Sequence, residues 1–235
     1  MARFENPVFC ALDTPSPEAA AALAARLGNN VGGLKLGLEF FMAAGPDGVR
    51  RVARTDRPLF LDVKLHDIPN TVAGAVRALL PLNPAIVNVH AAGGLAMMRA
   101  ARTAADEAPE GTRPALIAVT MLTSLDAGDL ERQNIRAAPW DHVRRLAANA
   151  AEAGLDGVVC SAHEIAALRA DLGPDFMLVV PGIRPAGAER GDQKRVMTPA
   201  EAHALGADIL VIGRPITAAA DPAAAARAIA AELAP

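Results

Sequence analysis

The chain of 235 residues is long enough for one large α/β domain, and its 52% hydrophobic content can fill a substantial core. The net charge of −3 gives no basic excess for nucleic acid, and no block of lysine and arginine indicates a membrane surface. No uncharged apolar stretch reaches the roughly 18 residues that a membrane span needs. We therefore expect neither nucleic acid nor a membrane as a partner.

The two cysteines lie in apolar runs, Cys10 near the start of the chain and Cys160 in its second half. Such runs are typical of buried strands, so we expect two buried thiols rather than a disulfide or a metal site. Residues 1–7 contain no apolar signal core. Both observations predict a cytoplasmic protein, because thiols stay reduced in that compartment.

Short apolar runs alternate along the chain with alanine-rich stretches of helical pattern. We predict strands at residues 8–12, 33–37, 59–64, 86–90, 115–120, 157–161, 177–181 and 209–213. We predict helices at residues 17–27, 38–44, 69–80, 94–107, 140–153, 163–170, 198–205 and 222–233. A strand followed by a helix, repeated eight times, predicts parallel strands joined by crossover helices.

Two architectures fit this alternation, a closed barrel and an open doubly wound sheet. A Gly-x-Gly-x-x-Gly turn after the first strand would favour the open sheet, but that strand leads into DTPSP, starting at Asp13. The strand count, the length and the missing turn favour a single-domain (β/α)8 TIM barrel over residues 1–235, with its active site at the C-terminal ends of the strands. The longest irregular stretch, residues 123–139, follows the fifth strand, and loops of that length are usually functional.

The third predicted strand carries charges in an otherwise apolar run. Because side chains alternate along a strand, Asp62 and Lys64 should face one side while Leu61 and Val63 face the other. If the apolar pair packs against helices, the charged pair points into the barrel mouth, where unpaired charges would be costly. Lys35, amid apolar and glycine residues of the second strand, is the expected partner of Asp62.

Asp67 follows in the loop before Pro69, which extends the charges to an alternating row of Lys35, Asp62, Lys64 and Asp67. A lysine flanked by carboxylates is held protonated and can donate a proton to a neighbouring carbanion. A carboxylate fixed beside an anionic group of a substrate would repel that group and favour its loss. A plain salt-bridge network that caps the barrel is the alternative interpretation.

Two turns, after the seventh and eighth predicted strands, each combine a glycine with an arginine: Gly182 with Arg184, and Gly213 with Arg214. Barrels often bind phosphate with these two loops, through backbone N–H groups and a guanidinium fork. The positions favour a phosphate site, although two ordinary turns with surface arginines would give the same pattern.

The five histidines show no metal-ligand spacing, and no Gly-x-Ser-x-Gly elbow indicates a serine hydrolase. His90 ends the fourth predicted strand, and we favour a hydrogen-bonded structural role for it over a place in the site. For His66, in the charged loop, both interpretations stay open.

The motif FLDVKLHDIPNT at residues 60–71 resembles the signature Asp-x-Lys-x-x-Asp-Ile-Pro-x-Thr of the orotidine 5′-phosphate decarboxylase family. This long charged motif is very specific, whereas Gly-Arg-Pro alone would not be. Shorter matches follow in the family's order over nearly the whole chain: LD at 12–13, Lys35, HAAGG at 90–94, LTS at 122–124, PGIR at 181–184, GDQKR at 191–195 and GRPI at 213–216.

The resemblance implies a (β/α)8 barrel that works as a homodimer, without a metal or an organic cofactor. The implied reaction converts orotidine 5′-monophosphate to uridine 5′-monophosphate and carbon dioxide in pyrimidine biosynthesis. Lys64 would donate the proton to the carbanion at C6 of the pyrimidine, with Asp62 beside the departing carboxylate. Lys35 would orient the charged row and touch the ribose.

Further residues are implied by the same resemblance. Asp67 would reach across the dimer into the partner's site, with Thr71 beside it. Asp13 would contact a ribose hydroxyl, and Thr123 would contact the pyrimidine. The phosphate would bind Arg184, Gln193, Gly213 and Arg214, and Gln193 would also lie near the base. Ile68 and Pro181 are further implied binding residues. The implied lids are residues 123–139 and 184–193.

Two rival functions stay open. A metal-dependent decarboxylase or aldolase that acts on sugar phosphates uses a similar barrel and also carries Asp-x-Lys-x-x-Asp. The continuation IPNT at residues 68–71, together with Gln193, argues against it. A non-catalytic protein that binds phosphorylated ligands with the same loops is the rival of a different class.

Overall fold

Eight parallel strands close into one barrel in the computed structural model, which describes residues 4–185 and 197–233. Each strand pairs with the next along the chain, and the last pairs with the first. The predicted (β/α)8 barrel is therefore confirmed, and the predicted strands agree with it to within two residues at each end. The strands are β1 (Val8–Ala11), β2 (Gly33–Gly37), β3 (Leu59–Leu65), β4 (Ile86–His90), β5 (Ala115–Val119), β6 (Gly157–Val159), β7 (Met177–Pro181) and β8 (Ile209–Ile212).

Helices follow the strands and pack around the outside of the barrel. They are α1 (Pro17–Leu27), α2 (Leu38–Ala53), α3 (Pro69–Leu79), α4 (Gly94–Ala105), α5 (Ala127–Arg132), α6 (Pro139–Glu152), α7 (Ile165–Leu172), α8 (Pro199–Ala204), α9 (Arg214–Thr217) and α10 (Pro222–Ala231). Among the helices of the two described ranges, none has the length and apolar character needed to cross a membrane.

Helix α2 is longer than predicted, because the prediction ended it at residue 44. Gly45 takes a left-handed conformation (φ 56°) that interrupts the helix, and Pro46 then starts a second segment in which its missing N–H is harmless. A glycine followed by a proline is typical of a helix end. Here the pair makes a kink, since the apolar residues Val49 and Val52 of the second segment are buried.

Two short helices were not predicted. Helix α5 lies inside the stretch that we expected to be irregular, and a reciprocal capping box between Asp126 and Asp129 starts it. Helix α9 is a single turn directly after β8. In addition, α7 begins two residues later than predicted, because a 3-10 turn over Ala162–Glu164 precedes it.

Alternate side chains of the strands fill two layers of core. Inward-facing residues such as Phe9, Phe60 and Ile209 form the layer inside the barrel. Outward-facing residues such as Cys10 and Leu61 pack against the helices. Both layers are almost completely buried, so the sequence of each strand is a nearly continuous apolar run that contains few polar residues.

Two aspartates repeat one contact pattern at the N-terminal end of the barrel. Asp156 precedes β6, and its carboxylate accepts hydrogen bonds from a backbone N–H of β5 (2.8 Å) and from Arg113 (2.8 Å for each oxygen). Asp208 precedes β8 and accepts from a backbone N–H of β7 (2.7 Å) and from Arg169 (2.6 Å). Each aspartate thus fixes the register of two adjacent strands at the end opposite the expected site.

Candidate active site

A cavity of about 320 Å³ opens at the C-terminal ends of the strands, where barrels of this class carry their active sites. Its wall combines charged side chains from the ends of β1 to β3, two arginines that follow β7 and β8, and apolar side chains from the strands between them. The sequence-predicted site residues that line it are Asp13, Lys35, Asp62, Lys64, Thr123, Pro181, Arg184, Gly213 and Arg214.

Four of these residues form what we call the charged cluster: Asp13, Lys35, Asp62 and Lys64. Nζ of Lys35 lies 3.0 Å from Oδ1 of Asp13 and 3.4 Å from Oδ2 of Asp62. Nζ of Lys64 lies 2.6 Å from Oδ1 of Asp62. The charges alternate along the cluster and sum to zero, and the predicted pairing of Lys35 with Asp62 is confirmed.

The carboxyl group of Asp62 lies at the centre of the charged cluster, and its side chain is only 14% exposed. Burial by itself would raise the pKa of Asp62. The charges of Lys35 and Lys64, together with hydrogen bonds from Lys64 and Asn88, outweigh burial and hold this pKa below its ordinary value. Asp62 is therefore an anion at neutral pH.

The backbone of β3 reaches this arrangement through an irregularity that simple alternation did not predict. Leu61 pairs with Val87 of β4, and the next pair is Leu65 with Val89. Between these two pairs β3 therefore advances by four residues while β4 advances by two. Inside this bulge Lys64 has a φ of 48°, a left-handed conformation that is uncommon for a residue with a side chain. Asp62 and Lys64 do line the same cavity, as predicted, but the strand is not regular between them.

Asn88, in the middle of β4, is a part of the site that our sequence reasoning missed. It is fully buried. Its Oδ1 accepts a 2.7 Å hydrogen bond from the backbone N–H of Lys64, and its Nδ2 donates a 2.7 Å hydrogen bond to Oδ1 of Asp62. One polar residue inside the apolar run IVNVH was the available signal, because buried amides need partners.

Two arginines provide the positive charge in another part of the cavity. Only 7% of the surface of Arg184 is exposed, and Arg214 begins helix α9. Burial, and then the nearby charge of Arg214, lower the pKa of Arg184 from its ordinary value. Two guanidinium groups that line one cavity and are close enough for the charge of one to affect the other are suited to an anion that carries more than one negative charge.

Three predicted residues lie outside the cavity of this chain. Asp67, Ile68 and Thr71 are exposed residues at the start of α3, and Oδ1 of Asp67 accepts a 2.7 Å hydrogen bond from the N–H of Ile68. Within one chain the alternating row therefore runs from Asp13 to Lys64 and does not include Asp67. Gln193 lies outside the described residues.

The two histidines near the site stack on each other. The ring centroids of His66 and His90 are 5.3 Å apart with an angle of 17° between the planes. Nδ1 of His90 accepts a 3.3 Å hydrogen bond from the N–H of Ala92 and caps the turn after β4. Burial, followed by the charges of His66 and Lys64, lowers the pKa of His90. The structural interpretation of His90 is supported.

Comparisons with known proteins agree with this geometry. A family model described as "Orotidine 5'-phosphate decarboxylase / HUMPS family" matches residues 6–229. A protein of Rhodospirillum rubrum named orotidine 5′-phosphate decarboxylase is 60% identical over 233 residues, which cover 97% of this chain and 94% of the relative. One of Paramagnetospirillum magneticum with the same name is 57% identical over 97% of this chain and 98% of the relative.

A solved structure has the same architecture. The crystal structure of orotidine 5′-phosphate decarboxylase from Lactobacillus acidophilus superposes with a TM-score of 0.87 at 38% sequence identity, over 98% of this chain and 100% of that one. The family model, the curated relatives and the solved structure all cover nearly the whole chain. This chain therefore belongs to the orotidine 5′-phosphate decarboxylase / HUMPS family.

Proposed function

We propose that this protein is an orotidine 5′-phosphate decarboxylase, which converts orotidine 5′-monophosphate to uridine 5′-monophosphate and carbon dioxide in pyrimidine biosynthesis. The observation that carries the proposal is the charged cluster, in which a buried aspartate with a lowered pKa touches a lysine in the same cavity as two arginines. Curated relatives that are 54–60% identical to this chain carry that name, which favours this activity over the others of the family.

The phosphate of the substrate would bind the two arginines. Arg184 and Arg214 would share its charge, while Gly213 and Pro181 shape the wall beside it. Gln193 is proposed as a further contact to the phosphate and the base. The phosphate is remote from the breaking bond, but its binding energy can still lower the barrier by holding the reacting ring in place.

The nucleoside part would lie between the charged cluster and the apolar wall. Asp13 and Lys35 would contact the ribose hydroxyls, since both have polar atoms at the cavity wall. The pyrimidine would pack against apolar side chains such as Val159 and Val179, with Thr123 as its polar contact. Its carboxylate would then face Asp62.

The chemistry needs a proton donor and a fixed anion. When the bond from C6 to the carboxyl carbon breaks, its electron pair stays on C6 and carbon dioxide leaves. Nζ of Lys64 would deliver a proton to that carbon, and the neutral amine would then regain a proton from water. Asp62, ionised because of its lowered pKa, would disfavour the bound carboxylate next to it and stabilise the ammonium group of Lys64.

Shared sites in a homodimer are part of the proposal. Ile68 is 67% exposed in the single chain although it is apolar, and Asp67 and Thr71 beside it have exposed polar side chains. A contact with a second subunit would cover this apolar side chain together with the two polar ones beside it. Asp67 and Thr71 would enter the partner's cavity, with Ile68 beside them.

The two buried, unpaired cysteines favour a cytoplasmic location.

The decisive experiment is to incubate the purified protein with orotidine 5′-monophosphate and to follow its ultraviolet absorbance. We expect the absorbance of the substrate to decline at enzyme-like protein concentrations. Pre-treatment with EDTA should leave the rate unchanged, because the proposed proton donor and anion are side chains. A constant absorbance would refute the proposal, and activity that EDTA abolishes and magnesium restores would favour the metal-dependent sugar-phosphate enzyme.

A further inference from the structure

We infer that Asn88 is a positioning residue for decarboxylation, and that its side-chain amide sets the distance and direction between Lys64 and Asp62. The inference rests on the proposed function and adds to it a residue that would not touch the substrate. Asn88 does not line the cavity, yet it bonds to both residues to which the chemical step is assigned.

The acceptor half of the amide holds the backbone of Lys64. The bulge in β3 takes Lys64 out of the ladder of hydrogen bonds with β4, since the paired residues on either side are Leu61 and Leu65. Oδ1 of Asn88 accepts from the Lys64 N–H at 2.7 Å and so replaces the missing carbonyl partner. The left-handed conformation of Lys64 (φ 48°) persists only if its surroundings hold it, and this bond holds it.

The donor half of the same amide holds the carboxylate of Asp62. Nδ2 of Asn88 and Nζ of Lys64 both bond to Oδ1 of Asp62, at 2.7 Å and 2.6 Å. Oδ2 of Asp62 is left for Lys35, 3.4 Å away. The two oxygens therefore have different partners, which fixes the rotation of the carboxylate and, through it, the place of the Lys64 ammonium group.

Among side chains of this length, only an amide can both accept the hydrogen bond from the Lys64 N–H and donate one to the Asp62 carboxylate. An ionised aspartate accepts but does not donate, and it would repel Asp62. Leucine has a similar size but neither bonds nor repels. Asn88 is fully buried on β4, between β5 and β3, the strand that carries Asp62 and Lys64. A replacement of similar shape therefore changes the hydrogen bonds with little change in packing.

The test compares Asn88→Asp and Asn88→Ala with the wild-type protein, measuring kcat, KM and the affinity for uridine 5′-monophosphate. For Asn88→Ala we expect kcat to fall on the order of 10²-fold, the effect of a small misplacement of reacting groups. The affinity for uridine 5′-monophosphate should change less than about threefold, because the arginines that would bind its phosphate are untouched. Thr55→Val is the control, since Thr55 is half-buried after α2 and its Oγ1 donates to the carbonyl of Val52, away from the cavity.

A pH profile separates positioning from general damage. The carboxyl group that Asn88→Asp introduces can still donate to Asp62 while it is protonated, but it cannot donate once it is ionised. The neighbouring carboxylate of Asp62 raises the pKa of the introduced group. The ratio of kcat for Asn88→Asp to kcat for wild type should therefore fall as the pH rises from about 5 to about 8. The corresponding ratio for Asn88→Ala should stay constant.

Two results would overturn the inference. One is a kcat within about threefold of wild type in Asn88→Ala, assayed well below its melting temperature. The other, which decides the matter if Asn88→Ala does not fold, is a pH-independent ratio for Asn88→Asp. The wild-type absorbance assay comes first: its failure would refute the proposed function, whereas an active wild type with active Asn88 variants would refute this inference alone.

Discussion

Lys64 combines a catalytic assignment with an unusual backbone, and the two are connected. Its left-handed conformation turns Nζ back toward the carboxylate two residues earlier, at a distance of 2.6 Å. A regular strand would place the two side chains on one face, but with the separation set by the strand repeat. At the scale of the residue, the unusual backbone conformation and the close contact between the proposed proton donor and its anion thus occur together at Lys64.

Replacing Lys64 tests the proposed proton donor. In Lys64→Ala we expect kcat to fall by about 10²- to 10⁴-fold, since general acid catalysis contributes an effect of this size. Binding of uridine 5′-monophosphate should remain measurable by calorimetry, because the arginines are unchanged. Arg50→Ala, which removes an exposed ion pair with Asp47, serves as the control with unaltered kcat. Turnover in Lys64→Ala comparable to wild type would contradict the assignment.

The lowered pKa of Asp62 has a consequence for stability. A carboxyl group whose pKa is lower in the folded state stabilises the protein fully above its unfolded pKa of about 3.9. That contribution is lost as the pH falls from this value through the folded pKa. We therefore expect the free energy of unfolding of wild type, relative to Asp62→Asn, to decrease as the solution is acidified below about pH 4. Urea unfolding at a series of pH values measures it, and a difference that stays constant over this range would contradict the lowered pKa.

At the scale of the elements, the strands could be predicted because both of their faces are buried and apolar, with breaks at glycine, proline and polar residues. Features that depend on a neighbouring strand could not be predicted in this way. The bulge in β3 is one example, since it exists only relative to the register of β4. Asn88 is another, because its partners are 24 and 26 residues away in the chain. The kink in α2 at Gly45 could not be predicted either, because its prediction requires knowing that Val49 and Val52 still face the core.

The close packing of β1 against β2 gives a prediction for a glycine. A Cβ on Gly33 would lie 2.3 Å from Cε1 of Phe9, whose ring fills the inside of the barrel. Gly33→Ala should therefore destabilise the protein by about 1–3 kcal/mol, measured by urea unfolding. The smaller side chain in Gly33→Ala/Phe9→Leu should recover part of the loss. Gly74→Ala in α3 is the control, because nothing lies within 4 Å of its Cβ, and there we expect a small gain.

At the scale of the whole molecule, contacts that fix the strands and residues of the candidate site lie at opposite ends of the barrel. The aspartates that fix strand register, Asp156 and Asp208, lie at the N-terminal end. The charged cluster and the arginines lie at the C-terminal end. Loops at the functional end can therefore vary or move without loosening the contacts that keep the strands in register.

A mixing experiment tests whether two chains share a site. If Asp67 acts in the partner's cavity, a dimer of one Asp67→Ala chain and one Lys64→Ala chain has one site with both native residues. An equal mixture with free subunit exchange should recover about a quarter of the wild-type activity, from two inactive parents. Mass spectrometry of differently tagged chains would verify that mixed dimers form. If they form and no activity returns, Asp67 does not act across the interface.

The neutrality of the charged cluster also determines how an anionic ligand is drawn into the cavity. Asp13, Lys35, Asp62 and Lys64 sum to zero, and the other charged side chains among the described residues that line the cavity are those of Arg184 and Arg214. If the arginines bind phosphate as proposed, we expect them to attract the phosphate end of the ligand first and so to orient the ligand before contact. Salt would weaken this steering, so the rate of ligand association should decrease with ionic strength, while the short contacts within the cluster are screened much less.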